Sequence, residues 1–160
     1  MSYLKLIKLL YLADREAVLR WGRPITTDRF VSMERGPVLS GLLDLVSDGD
    51  DPGAPCIWAE HISPPANFEI ELKREAGRDE LSDAEIELLD EIFQEHGKKT
   101  RWELVELTHK LPEWKDPQGS AIPITFRDIL KAGGRTELEI AAIEDELEGV
   151  ALAETVFGAH

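Results

Sequence analysis

The stretch SYLKLIKLLYLADREAVLRW, residues 2–21, carries a continuous helical pattern in which Leu and Ala dominate and no glycine or proline occurs. At about 100° per residue, one broad arc collects the apolar side chains of Leu4, Leu6, Ile7, Leu10, Tyr11, Ala13, Ala17 and Val18. The opposite side collects Lys5, Lys8, Arg15, Glu16 and Arg20. We therefore predict a helix that buries one face and exposes the other.

Asp14 breaks this pattern because it falls inside the apolar arc. A buried carboxylate needs a partner, so Asp14 is either a functional acid or a structural acid held by an arginine or by backbone N–H groups. The N–H groups of Val38 and Leu39, at the start of a predicted second helix, are unpaired donors with a favourable dipole. We predict that Asp14 pairs with this corner or with a nearby arginine, for which Arg35 is a candidate, and that this contact locks the first helix to the second.

The corner lies in MERGPVLSGLLDLV, residues 33–46. An extended segment, 29–34, stops at Gly36-Pro37, and apolar residues at helical spacing follow. Proline at the first helical position loses an N–H that has no intrahelical partner anyway, and Gly36 permits a sharp entry. A lone glycine does not make a phosphate cradle. The pattern predicts a strand-to-helix corner rather than a phosphate site.

Gly22 and Pro24 end the first helix. Further along, CIWAEHI (56–62) and NFEIELK (67–73) alternate between apolar and polar residues, which predicts two strands that could form a hairpin.

Capping boxes then predict three helices, which open at Ser82-x-x-Glu85, Thr100-x-x-Glu103 and Thr136-x-x-Glu139. A short helix closed by glycines is predicted within PITFRDILKAGG (123–134). The predicted fold class is mainly α (α+β): a compact helical domain with a small antiparallel β-sheet or hairpin, formed as a single domain over residues 1–160.

Composition limits the class of protein. A chain of 160 residues fits one domain with a sizeable core, and no run is long and apolar enough to cross a bilayer. The single cysteine, Cys56, excludes an internal disulfide and fits a cytoplasmic location. We expect a cytoplasmic protein that does not enter the membrane.

The net charge of −14 is unevenly distributed. Residues 1–49 carry seven Lys or Arg and six Asp or Glu, a net of +1, and residues 50–160 carry eleven and 26, a net of −15. Nucleic-acid binding through the later part is disfavoured. An acidic surface steers basic protein partners, although the charge could simply keep the protein dissolved.

No motif for catalysis or cofactor binding emerges from the histidines, the cysteine or the glycines. His61, His96, His109 and His160 form no H-E-x-x-H pattern, and the chain has no G-x-S-x-G, P-loop or G-x-G-x-x-G. His109 falls on or beside the buried face of its helix, where a core histidine is one interpretation. A metal site assembled from Asp14, His61 and His109 is the other, and a small metal-dependent hydrolase is kept as an alternative function.

Tryptophans anchor both cores and interfaces. Trp114 lies in the proline-bounded segment LPEWKDP (111–117), where it could cap the core or contact a partner. We take Arg35, Trp102 and Trp114 as candidate partner-binding residues. The amphipathic helix predicted over 137–155 must cover either its own domain or a partner.

Four stretches in the same order carry a resemblance to a known family: LKLIKLLYLADREAV, GRPITTDRFVSMERGPV, LSDAEIELLDEIFQEHG and WELVELTHKLPEW. Between Leu4 and Trp114 they resemble the Panacea domain of the SocA-like antitoxins, also met as prophage-associated proteins. Residues 115–160 are less characteristic. Asp14, Gly36, Pro37, His109 and Trp114 fall at the characteristic positions of the family, where a role in the shared fold is expected.

The resemblance implies a bacterial antitoxin that neutralises a toxin encoded beside it by direct contact, with neither catalysis nor a cofactor. It also implies an alternative function as a proteolytic adaptor that delivers the toxin to a AAA+ protease. Neither the toxin nor any regulatory DNA binding can be specified from it. Relatives often have a further helix upstream; without one, the arc of Leu6, Leu10 and Ala17 is expected to be partly exposed or covered by a second subunit, as in a homodimer.

Overall fold

The computed structural model describes residues 1–47 and 57–157, with side chains described up to Gly149 in the last helix. This part of the chain is mainly helical and contains a small three-stranded antiparallel sheet, which confirms the predicted fold class. The elements are α1 (Tyr3–Trp21), β1 (Phe30–Met33), β2 (Gly36–Leu39), α2 (Ser40–Ser47), α3 (Ile57–His61), α4 (Asp83–His96), α5 (Arg101–His109), β3 (Ile122–Ile124), α6 (Phe126–Ala132) and α7 (Glu137–Phe157).

Helix α1 lies between two apolar clusters. One cluster joins α1 to the sheet, α2, α6 and α7, and the other joins it to α4 and α5. Different faces of α1 therefore pack into different clusters. Ile7 and Tyr11 belong to the first cluster, and Leu9 and Leu12 belong to the second. The prediction of one exposed polar face is wrong at Lys8, which is 0% exposed.

The sheet has the order β2-β1-β3. Strand β1 pairs with β2 through a tight turn in which Met33 lies opposite Gly36, and Phe30 lies opposite Leu39 on one side and Ile124 on the other. The third strand thus comes from the part of the chain beyond residue 115.

The predicted strand-to-helix corner at Gly36-Pro37 is wrong, because Gly36–Leu39 is a strand and α2 begins only at Ser40. Pro37 is tolerated there because β2 is an edge of the sheet. The start of α2 is set from a distance: the Asp28 carboxylate accepts hydrogen bonds from Gly41 N at 2.7 Å and Leu42 N at 2.8 Å. A local pattern does not contain this contact.

The predicted hairpin over 56–62 and 67–73 is also wrong. Residues Ile57–His61 form the one-turn helix α3. Residues 67–73 make only isolated bridges, in which Glu69 pairs with Ser2 and with Ala66, and Leu72 pairs with Ile62. Alternation fails here because Trp58 and Ala59, adjacent in sequence, are both half-buried. Cys56 lies outside the described residues.

The capped helices are confirmed. Ser82 with Glu85 and Thr100 with Glu103 form complete capping boxes at α4 and α5. At the start of α7, the Thr136 hydroxyl accepts from the N–H of residue 139 at 3.2 Å. Within the described ranges, no helix combines the length and apolar character needed to cross a lipid bilayer.

Candidate protein-binding surface

The turn between β1 and β2 is held by three side chains from different parts of the chain. Lys8 Nζ donates to the Pro37 carbonyl at 2.8 Å, His109 Nε2 donates to the Glu34 carbonyl at 2.9 Å, and Trp114 Nε1 donates to the Met33 carbonyl at 2.8 Å. We call Lys8, His109 and Trp114 the hairpin clamp. Helices α1 and α5 and the segment after α5 thereby fix one short turn.

Gly36 is required for the close approach of this turn to α1 and α5. Its φ is +101°, in the region that favours glycine, and a Cβ at this position would lie 2.8 Å from Thr108 Oγ1 and 2.9 Å from Lys8 Nζ. Burial lowers the pKa of Lys8 to about 7. The Lys8 amine remains a hydrogen-bond donor in either protonation state.

His109 and Trp114 support the turn together, since their ring centroids are 4.4 Å apart. The bond to the Glu34 carbonyl requires the hydrogen on Nε2 of His109. Trp114 is half-buried, and its indole N–H bonds to the turn that carries Arg35.

The site suggested by Asp14, His61 and His109 is not assembled. Asp14 bonds to the loop after α1, His61 Nδ1 lies 2.8 Å from the Ile57 carbonyl, and His109 bonds to the hairpin turn. Among residues 1–47 and 57–157, no group of three or more His, Cys, Asp or Glu side chains could hold a metal ion.

Asp14 is buried, at 1% exposure, but the predicted partners are wrong. Its carboxylate accepts from Ile25 N at 2.9 Å, Thr26 N at 3.0 Å and the Thr26 hydroxyl, rather than from the β2–α2 region or Arg35. Burial raises the pKa of Asp14, and the bonds from Thr26 and Ile25 oppose that rise. Because Gly22 is left-handed and turns the chain back, the nearest donors come from the loop immediately after α1.

A second buried carboxylate, Glu113, was missed by the sequence reasoning. It is 5% exposed and accepts from the Tyr11 hydroxyl at 2.9 Å and from Arg15 Nε at 2.5 Å. Burial and the nearby Glu113 charge raise the pKa of Tyr11. This network fixes the segment before Trp114 to α1, and the only sequence signal for it was an acid placed between proline and tryptophan.

The fixed turn presents Arg35 to an exposed aromatic group. The Arg35 guanidinium lies 5.7 Å from the Trp102 ring centroid, and the Arg101 guanidinium lies 5.2 Å from the same ring and 5.9 Å from the Phe68 ring. Tyr3 extends the group, with its ring centroid 6.3 Å from that of Phe68. We call these five residues, which with Ser2 and Leu4 line a cavity of about 160 Å³, the aromatic–arginine patch.

Phe68 is held in this patch by an unusual backbone. Residues Ala66 and Glu69 exchange two backbone hydrogen bonds, so Asn67 and Phe68 form a two-residue turn with φ of 53° and 64°. Such turns favour glycine at the second position, and a phenylalanine there costs roughly 1–2 kcal/mol. Phe68 is nevertheless 63% exposed, so burial in the described fold does not compensate the cost.

The patch has the composition of a protein-binding surface, because Trp, Tyr, Phe and Arg are enriched at the centres of interfaces. Trp102 is 52% exposed. Of the three candidate partner-binding residues, the structure brings Arg35 and Trp102 together. Sequence reasoning missed Tyr3, Phe68 and Arg101, although the adjacent Arg101-Trp102 pair was a readable signal.

Fold and surface together define a small helical domain with the features of an interaction module. The family described as antitoxin SocA-like, Panacea domain, matches residues 6–115. The chain belongs to this family. No curated protein and no solved structure matches the chain. Membership supports an antitoxin role, implies a toxin as partner in general and suggests a non-enzymatic role.

Proposed function

We propose that this protein is the cytoplasmic antitoxin of a toxin–antitoxin pair and neutralises its toxin by direct contact through the aromatic–arginine patch. Membership of the SocA-like, Panacea domain family supports the antitoxin role. The observation that supports the patch as contact surface is the exposed Trp102 ring, with the guanidinium groups of Arg35 and Arg101 at 5.7 Å and 5.2 Å.

Two features favour binding over a purely structural role for the patch. Large aromatic side chains left exposed retain apolar area that a partner can bury, and cation–π contacts at exposed sites contribute only about 0.5–1 kcal/mol to the fold itself. In addition, Phe68 occupies a backbone conformation that disfavours it. Strained residues of this kind cluster at functional sites.

The test is co-expression with the product of the adjacent gene. The wild-type protein is expected to restore growth and to form a complex that co-purifies. Trp102→Ala is expected to weaken the complex by about 30-fold or more, as for the loss of an interface anchor. Phe93→Ala is the matched control, since Phe93 is a 56% exposed aromatic on α4 that does not line the cavity.

Phe68→Gly separates binding from folding. Glycine relieves the positive φ, so the free energy of unfolding is expected not to fall, whereas affinity for the toxin is expected to fall. Growth rescue that fails for the wild type would contradict the antitoxin role. Toxin loss that requires both this protein and a AAA+ protease would instead establish the adaptor mechanism.

A further inference from the structure

We infer that the toxin segment that binds the aromatic–arginine patch carries a carboxylate next to a large apolar side chain. This inference rests on the proposed antitoxin function and specifies the chemistry of the partner. It concerns what the patch recognises, which membership of the family leaves open.

The charged side chains that line the cavity, Arg35 and Arg101, are both cationic. Neither makes an ion pair within the described residues, whereas Arg15, Arg20 and Arg127 each lie within 3 Å of a carboxylate oxygen. In a chain with 32 acidic residues, the two guanidinium groups of the patch are left available for an external anion.

Both guanidinium groups lie within 6 Å of the Trp102 ring centroid, so two cationic groups share one aromatic ring. A carboxylate bound in this cavity is attracted by both cations, and the planar forks of arginine match carboxylate oxygens. Ser2 also lines the cavity, and its buried Oγ has no hydrogen-bond partner within the described part of the chain.

The cavity also has an apolar side. Tyr3, Leu4, Phe68 and Trp102 supply its walls. A volume of about 160 Å³ is comparable to cavities that hold a benzene ring. The patch therefore accepts one large apolar side chain while the arginines hold a neighbouring carboxylate.

A nucleic acid could in principle place a base on Trp102 and a phosphate on the arginines. The net charge of −14 opposes it, because a polyanion meets repulsion from the rest of the surface. A protein segment with a single carboxylate brings only one negative charge, so the acidic surface repels it much less than it repels a polyanion. The charge of the chain thus favours the acidic, apolar protein segment.

The experiment uses this protein and a non-toxic variant of the adjacent toxin, with affinity measured by calorimetry at low and high ionic strength. Arg35→Glu with Arg101→Glu is expected to weaken binding by about 100-fold or more through like-charge contact, and wild-type binding is expected to weaken with salt. Arg35→Lys with Arg101→Lys keeps the positive charge but loses the planar fork of arginine. Its affinity for the toxin is expected to lie between those of the wild type and the double glutamate variant.

The matched control is Arg74→Glu with Arg78→Glu, which makes the same charge change at exposed positions outside the cavity. It is expected to bind within a few-fold of the wild type. A Lys substitution at one Asp or Glu of the toxin is expected to restore binding to the Arg35→Glu, Arg101→Glu variant. Circular dichroism verifies that each variant is folded.

The outcomes separate the two proposals. A wild type that neither binds nor rescues overturns both the proposed function and this inference. A wild type that rescues, together with a folded glutamate variant that binds equally well, overturns the inference and leaves the antitoxin role intact. Displacement of the toxin by a single-stranded oligonucleotide that requires Arg35 and Arg101 also overturns it.

Discussion

At the scale of single residues, Lys8 is a charged side chain enclosed by the fold. Its position on α1 belongs to the side that helical periodicity assigns to solvent, but β2 and α5 both approach α1 there. The Nζ group compensates part of the cost of burial by donating to the Pro37 carbonyl. Enclosure disfavours the charged form, which is why the pKa of Lys8 falls to about 7.

Lys8→Met is expected to flatten the dependence of stability on pH. The folded-state pKa of Lys8 is about 7 against an ordinary 10.5, so between these values the unfolded chain binds a proton that the folded chain has released. The free energy of unfolding of the wild type therefore rises with pH in this window, by at most about 1.4 kcal/mol per unit from this group. Below about pH 7 both states are protonated and this contribution is constant.

Urea unfolding of both proteins from neutral pH to pH 10 measures this difference. Met keeps most of the volume of the lysine stem, and the exposed Lys98→Met is the control, expected to retain the wild-type profile. Parallel profiles for the wild type and Lys8→Met would show that Lys8 is protonated within the fold.

For Asp14, the sequence predicts the burial of the side chain but not its hydrogen-bond partners. Its burial follows from its position within an apolar arc, and the need for donors follows from burial. The identity of the donors, Ile25 and Thr26, depends on the path of the chain after Gly22, which periodicity does not describe. The environment was therefore predictable and the partners were not.

At the scale of elements, boundaries set by local signals were predicted correctly and those set by distant contacts were not. The capping boxes of α4 and α5 span four residues each, so the sequence contains the whole signal. The start of α2 depends on Asp28, more than ten residues upstream, and the turn before β2 depends on Lys8, His109 and Trp114. Those contacts exist only after α1 and α5 have packed.

Gly36→Ala is expected to destabilise the fold through the hairpin turn. The new methyl group would lie 2.8 Å from Thr108 Oγ1 and 2.9 Å from Lys8 Nζ, in addition to the strain at a φ of +101°. The expected loss is about 2–4 kcal/mol in the free energy of unfolding. Because Arg35 precedes Gly36 directly, affinity for the toxin is expected to fall as well.

Gly77→Ala is the matched control for this change. Gly77 also has a positive φ, +80°, but a Cβ there meets nothing within 4 Å. Strain of the backbone alone is expected to cost roughly 1–2 kcal/mol, with no effect on toxin binding. Equal losses in the two variants would show that the clamp tolerates a methyl group and that only φ matters.

At the scale of the whole molecule, the distribution of charge along the chain does not predict the charge of the candidate binding surface. The acidic excess lies in residues 50–160, and composition alone favoured a basic partner. The aromatic–arginine patch is instead positively charged. Arg35 and Arg101 are far apart in sequence, and the hairpin and α5 bring both to the Trp102 ring. Net charge therefore describes long-range steering, whereas the folded surface determines what binds at short range.

The core, in turn, extends beyond the residues that carry the family resemblance. Although the match ends at residue 115, the cluster on one side of α1 includes Ile124, Ile129, Leu130 and Ile140. Strand β3 also pairs with β1. We propose on this basis that the later segment and the matched region unfold as one cooperative unit.

Leu130→Ala tests this proposal. Leu130 is 1% exposed, so its truncation is expected to lower the free energy of unfolding by about 2–5 kcal/mol. All four tryptophans precede residue 115, at positions 21, 58, 102 and 114, so the fluorescence originates in the matched region. If the chain is one unit, Leu130→Ala shifts the fluorescence transition and the far-ultraviolet circular dichroism transition to the same lower urea concentration.

Leu138→Ala, the same substitution at an 85% exposed site, is the control. It is expected to change the free energy of unfolding measured by either method by less than about 0.5 kcal/mol. A fluorescence transition that stays in place while circular dichroism reveals a separate, weaker step would instead show that the later segment folds independently.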